Sequence, residues 1–106
     1  MNSAQVFLHE RMAGVLEQEN ATYRFTYSKS YLALPDAEAI AIAMPLQEEA
    51  FTSEQILIPF FDNLIPEGYL LQLALETLDL NYNDRFAILL ATTQDCIGAV
   101  SIKPIP

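Results

Sequence analysis

Thr22, Arg24 and Thr26 alternate with Tyr23, Phe25 and Tyr27, a period of two that places three aromatic rings on one face of a strand. Ahead of it, residues 5–9 alternate Val6 and Leu8 with neighbours of mixed polarity. Residues 12–17 then resume an apolar run with Gly14 inside it, a position suited to a bulge or a close backbone approach. Glu19 and Asn20 supply the turn into the aromatic strand, so the first thirty residues predict an antiparallel meander. Past a loop at Pro35 and Asp36, Ile40, Ile42 and Met44 alternate with Ala41 and Ala43. That pattern predicts a strand covered on both faces, ended by Pro45, which lacks the ladder donor.

The period then changes. Thr52 and Gln55 have capping-box spacing, with Ser53 as the adjacent cap candidate, and predict a helix start; Pro59 must then lie in its first turn or kink it. Pro66 and Glu67 suit the opening of a second helix, to about residue 79, because the missing N–H costs nothing there and negative charge favours the dipole. A third helix starts near Asn81, with Asp84 three residues on, and carries Phe86, Ile88, Leu89 and Leu90. Residues 97–102 read as a final strand, and Pro104 and Pro106 close the chain. Strands, then helices, then one strand imply an α+β fold: a curled or barrel-like antiparallel sheet capped by about three helices. A length of 106 residues fits one domain, 1–106.

Composition narrows the function. The chain is 52% hydrophobic and includes 6 Phe and 5 Tyr, enough for a core without disulfides or metals. A net charge of −9, with Arg11, Arg24, Lys29, Arg85 and Lys103 scattered singly, argues against direct nucleic-acid binding and disfavours anionic membranes. The lone Cys96 forms no internal disulfide and fits a reducing compartment. The opening residues do not read as a secretory signal, and the apolar stretches are too broken to span a bilayer. The expected location is the cytoplasm.

Little catalytic apparatus can be assembled. Gly14, Gly68 and Gly98 are too far apart for a phosphate-cradling loop. His9, on a predicted strand, and Cys96 read as structural, and together they are too few for a zinc site. Glu48 and Glu49 read as a solvated acidic loop. No metal, no cofactor, no small-molecule substrate and no enzymatic activity are expected.

Residues 56–80 carry an apolar excess. Apart from Pro59, only Asp62 and Asn63 interrupt the run from Ile56 to Ile65, and Leu70, Leu71, Leu73, Ala74 and Leu75 wrap past a single helix stripe. Burial against a curled sheet accounts for most of these side chains, and the remainder predicts a surface completed by a partner. Tyr69, after a Pro-Glu-Gly turn, either anchors in a partner's pocket or staples its helix to the core.

The run Phe60-Phe61-Asp62-Asn63-Leu64-Ile65-Pro66-Glu67-Gly68, followed by Asp95-Cys96-Ile97-Gly98-Ala99-Val100, resembles the amino-terminal subdomain of HipA-type serine/threonine toxin kinases. Gly14, the aromatic strand, Tyr31-Leu32 and Ile42-Ala43-Met44-Pro45-Leu46 agree in order, so the resemblance covers nearly the whole chain. It implies a HipS-like small subunit of a three-component HipBST-type system, an antitoxin that binds and inhibits a separate HipA-like kinase. A helix-turn-helix DNA-binding protein would complete a ternary complex. The alternative is an amino-terminal structural subdomain of a longer HipA-type kinase, present as a fragment. No catalytic or nucleotide-binding position of the family has a counterpart in these 106 residues. The expected partner-binding residues are Asn63, Leu64, Ile65, Pro66, Glu67, Gly68, Tyr69 and Leu70.

Overall fold

A computed structural model describes residues 2–65, 72, 75–77, 84–92 and 100–105. Strands β1 (Asn2–Leu8), β2 (Arg11–Glu19) and β3 (Thr22–Tyr27) form the expected meander. The β1–β2 connection is two residues, His9 and Glu10, both with positive φ (51° and 69°), as a tight hairpin turn requires. His9 is therefore an exposed turn residue and not a strand residue. Asn20, with φ 55°, begins the β2–β3 turn, a conformation asparagine adopts more readily than most residues.

Gly14 meets both demands anticipated for it. The β1–β2 register shifts between Val6, opposite Gly14, and Phe7, opposite Met12, which leaves Ala13 as the extra residue of a bulge. A Cβ on Gly14 would drive into the Thr26 carbonyl oxygen and come within 2.8 Å of the Phe25 ring. The absent side chain thus allows β2 and β3 to close around that ring.

The remaining elements are α1 (Lys29–Leu32), β4 (Phe51–Glu54), α2 (Pro59–Asp62), α3 (Arg85–Thr92) and β5 (Val100–Pro104). Gln72 and Leu75–Thr77 are also helical, so among the described residues helical structure occurs at four places, in line with the about three expected. The strand order is β4-β3-β2-β1-β5, antiparallel throughout. The fold is α+β as expected, and among the described residues β4 and β5 are the edge strands of a sheet that is not closed. No helix among the described residues is long and apolar enough to cross a membrane.

Two expectations about the middle of the chain are overturned. Residues 40–44 do not form a strand; the chain turns back at Ile42 and Ala43, with a single bridge between Ala41 and Met44. The Tyr27 hydroxyl bonds Ile40 and Met44, which occupies backbone groups a strand would use. Thr52 and Ser53 do not start a helix either. They lie in β4, where Tyr23 pairs with Ser53 and Phe25 with Phe51. Pairing with the aromatic strand outweighs the local capping pattern. The helix begins instead at Pro59, where proline's missing N–H costs nothing.

One sheet face carries the core. Tyr23, Phe25 and Tyr27 are all buried, and the Phe25 ring lies 4.9 Å from Tyr27 and 5.5 Å from Phe61 of α2. Tyr23 stacks on Phe86 of α3, centroids 6.4 Å apart. In α3 the side chain that accepts from the first turn is Asp84, whose Oδ1 takes the Ala87 N–H at 3.1 Å. Asn81 lies outside the described residues, as do residues 97–99 of the expected last strand. Phe86, Ile88 and Leu89 are buried under the sheet.

Candidate partner-binding surface

The stretch from β4 to Ile65 is built by three local devices. Gln55 adopts φ 70° after β4, and its N–H donates to Ala21 O at 2.6 Å, which ends the strand and turns the chain. Leu57 and Ile58 are buried and fix the chain to the core before Pro59. One helical turn follows, and its N–H groups are paired: Asp62 to Ile58 O (3.0 Å), Asn63 to Pro59 O (3.0 Å), Leu64 to Phe61 O (3.1 Å) and Ile65 to Asp62 O (3.2 Å).

This winding sorts the side chains. Phe61 and Ile65 are buried, Leu64 and Phe60 are partly buried against the core, and Asn63 is exposed. Asp62 turns back to α3, where the Arg85 Nε donates to its Oδ1 at 2.8 Å. That ion pair joins α2 and α3 at their partly buried margin, with a planar donor matched to a carboxylate. Of the eight residues expected to bind a partner, Asn63 is exposed, Leu64 partly so and Ile65 buried; 66–70 lie outside the described residues.

Beside Asn63 a groove of about 340 Å³ opens between the end of β4, α2 and α3. Ile56 lines it and is 62% exposed. Leu57 and Pro59 add apolar wall, and the Asp62–Arg85 pair, Tyr23 and Gln55 add polar groups. Burial first, and then the negative charges of Asp84 and Asp62, push the Tyr23 phenol above its ordinary pKa, so it remains a neutral hydroxyl. It accepts from Gln18 Nε2 at 3.2 Å. Apolar walls with a few fixed polar groups can receive a side chain and orient it by hydrogen bonding.

Ile56, Tyr23 and Arg85 were not legible as groove residues. Ile56 reads as helix interior when a helix is started at Thr52, and Tyr23 reads as pure core. Arg85 offers one signal: it is the only cation between Lys29 and Lys103, in a chain where carboxylates are abundant. Among the described residues, no group of three or more His, Cys, Asp or Glu side chains is placed to hold a metal. Cys96 lies outside them.

Known proteins agree with this architecture. A solved structure described as the N-terminal domain of HipA toxin superposes with a TM-score of 0.72, at 24% identity, covering 100% of this chain and 94% of that one. A Haemophilus influenzae protein, described only as uncharacterized, is 28% identical over 103 residues, 97% of this chain and 92% of its own length. The family model for the HipA N-terminal domain matches residues 4–103. That span runs from the first strand of the sheet to the last, and takes in the groove between them; the chain belongs to the HipA N-terminal domain family.

Proposed function

We propose that this protein is the antitoxin, or regulatory subunit, of a HipA-related toxin–antitoxin system: it binds a separate HipA-like serine/threonine kinase and restrains it, without group-transfer chemistry of its own. The observation that carries this reading is the family match over residues 4–103, joined to a groove beside Asn63 with an exposed Ile56 on its wall. In this reading residues 63–70 form the kinase-contacting segment. Buried Ile65 fixes the backbone, and Asn63, Leu64, Pro66, Glu67, Gly68, Tyr69 and Leu70 meet the partner. Support comes from the winding of residues 58–65, which holds the start of that segment by five backbone hydrogen bonds and so lowers the entropy lost on docking. In this reading a helix-turn-helix protein takes the DNA in a ternary complex, and the net charge of −9 on this chain disfavours DNA contact of its own.

Co-expression of the kinase with wild-type protein and with Tyr69→Ala tests this. Wild type is expected to co-purify with the kinase and relieve its growth arrest; Tyr69→Ala is expected to weaken the complex by about tenfold or more, as loss of an aromatic anchor does. Equal binding and equal protection would remove Tyr69 from the interface. A kinase that ignores the wild-type protein would overturn the antitoxin reading.

A further inference from the structure

The connection between α1 and β4 doubles back at its middle. The Met44 N–H donates to Ala41 O at 3.0 Å, and these two residues form the bridge that closes the turn. Ile40 and Met44, on either side, are buried, whereas Ile42 at the tip is fully exposed, at 103% relative accessibility. One side chain of β3 grips both ends: the Tyr27 hydroxyl donates to Met44 O at 2.5 Å and accepts from the Ile40 N–H at 3.0 Å. Tyr31 holds the approach in the same manner, donating to Glu38 O at 2.7 Å and accepting from Glu38 N–H at 3.1 Å. The turn is therefore clamped to the sheet while its largest apolar side chain points into water. A side chain carried on an already fixed backbone loses little further entropy when it docks.

The surroundings select the partner. Residues 33–50 contain Asp36, Glu38, Glu48 and Glu49 and no Lys, Arg or His; Arg11 of β2 pairs with Asp36, so the excess negative charge is carried by Glu38, Glu48 and Glu49. Leu34 and Leu46 add two further exposed aliphatic side chains to the same connection. A second copy of a chain with net charge −9 would set acid against acid, and an anionic lipid surface would do the same. We propose that the Ile42 turn is a second docking element, which inserts Ile42 into an apolar socket rimmed by Lys and Arg on the HipA-like kinase. This rests on the antitoxin reading and adds to it a contact outside residues 63–70.

Titration calorimetry of the purified kinase against wild type, Ile42→Asn and Ile42→Leu tests the proposal, with thermal unfolding of each variant alongside. Because Ile42 makes no core contribution, all three are expected to unfold at the same temperature. Ile42→Asn is expected to bind about tenfold more weakly, and Ile42→Leu close to wild type. Wild-type affinity should fall as salt is raised, with a shallower slope once Glu48 and Glu49 are both replaced by Gln. If wild type binds and Ile42→Asn binds equally well, the docking turn is wrong and the antitoxin reading stands. Failure of wild type itself to bind overturns both. Loss of a self-associated form in Ile42→Asn, with kinase affinity unchanged, would assign the turn to copy-to-copy contact and also overturn the proposal.

Discussion

In β3, Tyr23, Phe25 and Tyr27 alternate with threonines and an arginine, and the backbone is paired with β2 along its whole length and with β4 as far as Phe25. In residues 40–44, Ile40, Ile42 and Met44 alternate with alanines, yet Ile40 and Met44 are buried while Ile42 between them is exposed. A strand would have placed all three on one face. The difference lies in where the backbone hydrogen bonds go. β3 satisfies its N–H and C=O groups through two ladders, whereas Ile40 N–H and Met44 O are taken by the Tyr27 hydroxyl. Alternation states which side chains would share a face if the segment were extended. A neighbouring edge decides whether it is extended, and a buried hydroxyl can compete with that edge.

The largest effect expected from breaking this contrast is at Phe25. Its ring touches Tyr27, Phe51 and Phe61 and is wholly buried. Phe25→Ala should destabilise the protein by about 3–5 kcal/mol, read as a lower urea midpoint at unchanged slope. A loss below about 1 kcal/mol would mean that β3 is not the centre of the core.

Tyr27→Phe separates the two regions more finely. The ring remains in the core, but Ile40 N–H and Met44 O lose their shared partner, at a cost of about 1–3 kcal/mol. Hydrogen exchange at the Ile40 amide should accelerate more than exchange within β3. The same hydroxyl adds a pH dependence. Burial, offset in part by the hydrogen bond from Ile40, raises the Tyr27 phenol above 10.0. A raised phenol value means the folded state holds its proton more tightly. The stability it contributes is complete below 10.0 and is lost as pH rises through the folded value. Tyr23 shifts the same way, so Tyr27→Phe should shrink the alkaline loss of stability without removing it. An unchanged alkaline slope would show that the clamp does not depend on this hydroxyl.

The meander was legible because three signals agreed: an aromatic face of period two, turn chemistry at Asn20, and a glycine where β2 needed a bulge and room for Phe25. From residue 33 to 65 the local signals conflicted with long-range pairing. Thr52 and Gln55 carry a capping pattern, but the aromatic strand offered an open edge, and β4 filled it. Ile42 reads as strand interior from its neighbours; its exposure follows from a hydroxyl fifteen residues earlier in the chain, which no local pattern encodes. The groove was invisible for a related reason, since it joins Tyr23 of β3, Ile56 of the connection after β4 and Arg85 of α3. Within the apolar stretch 56–80, Ile56, Leu57, Pro59, Asp62 and Asn63 line that groove.

The smallest effect is expected at the ion pair that also ties the turn's connection to the sheet. Arg11 Nη1 donates to Asp36 Oδ1 at 3.0 Å, with side chains 38% and 74% exposed. The hydrogen bond from Arg11, and then its charge, hold the Asp36 carboxyl below its ordinary value of 3.8. A lowered carboxyl value places its contribution above that pH and removes it as pH falls through the folded value. Both groups are solvated, however, so water and salt screen most of the attraction. Asp36→Asn should leave the urea midpoint unchanged at neutral pH, and the exchange rate of the Ile40 amide should also be unchanged. Taken with Tyr27→Phe, this divides the two attachments of the connection. If Asp36→Asn instead loosened the Ile40 amide as much as Tyr27→Phe, the turn would be held from the surface by charge, and the buried hydroxyl would be its passenger.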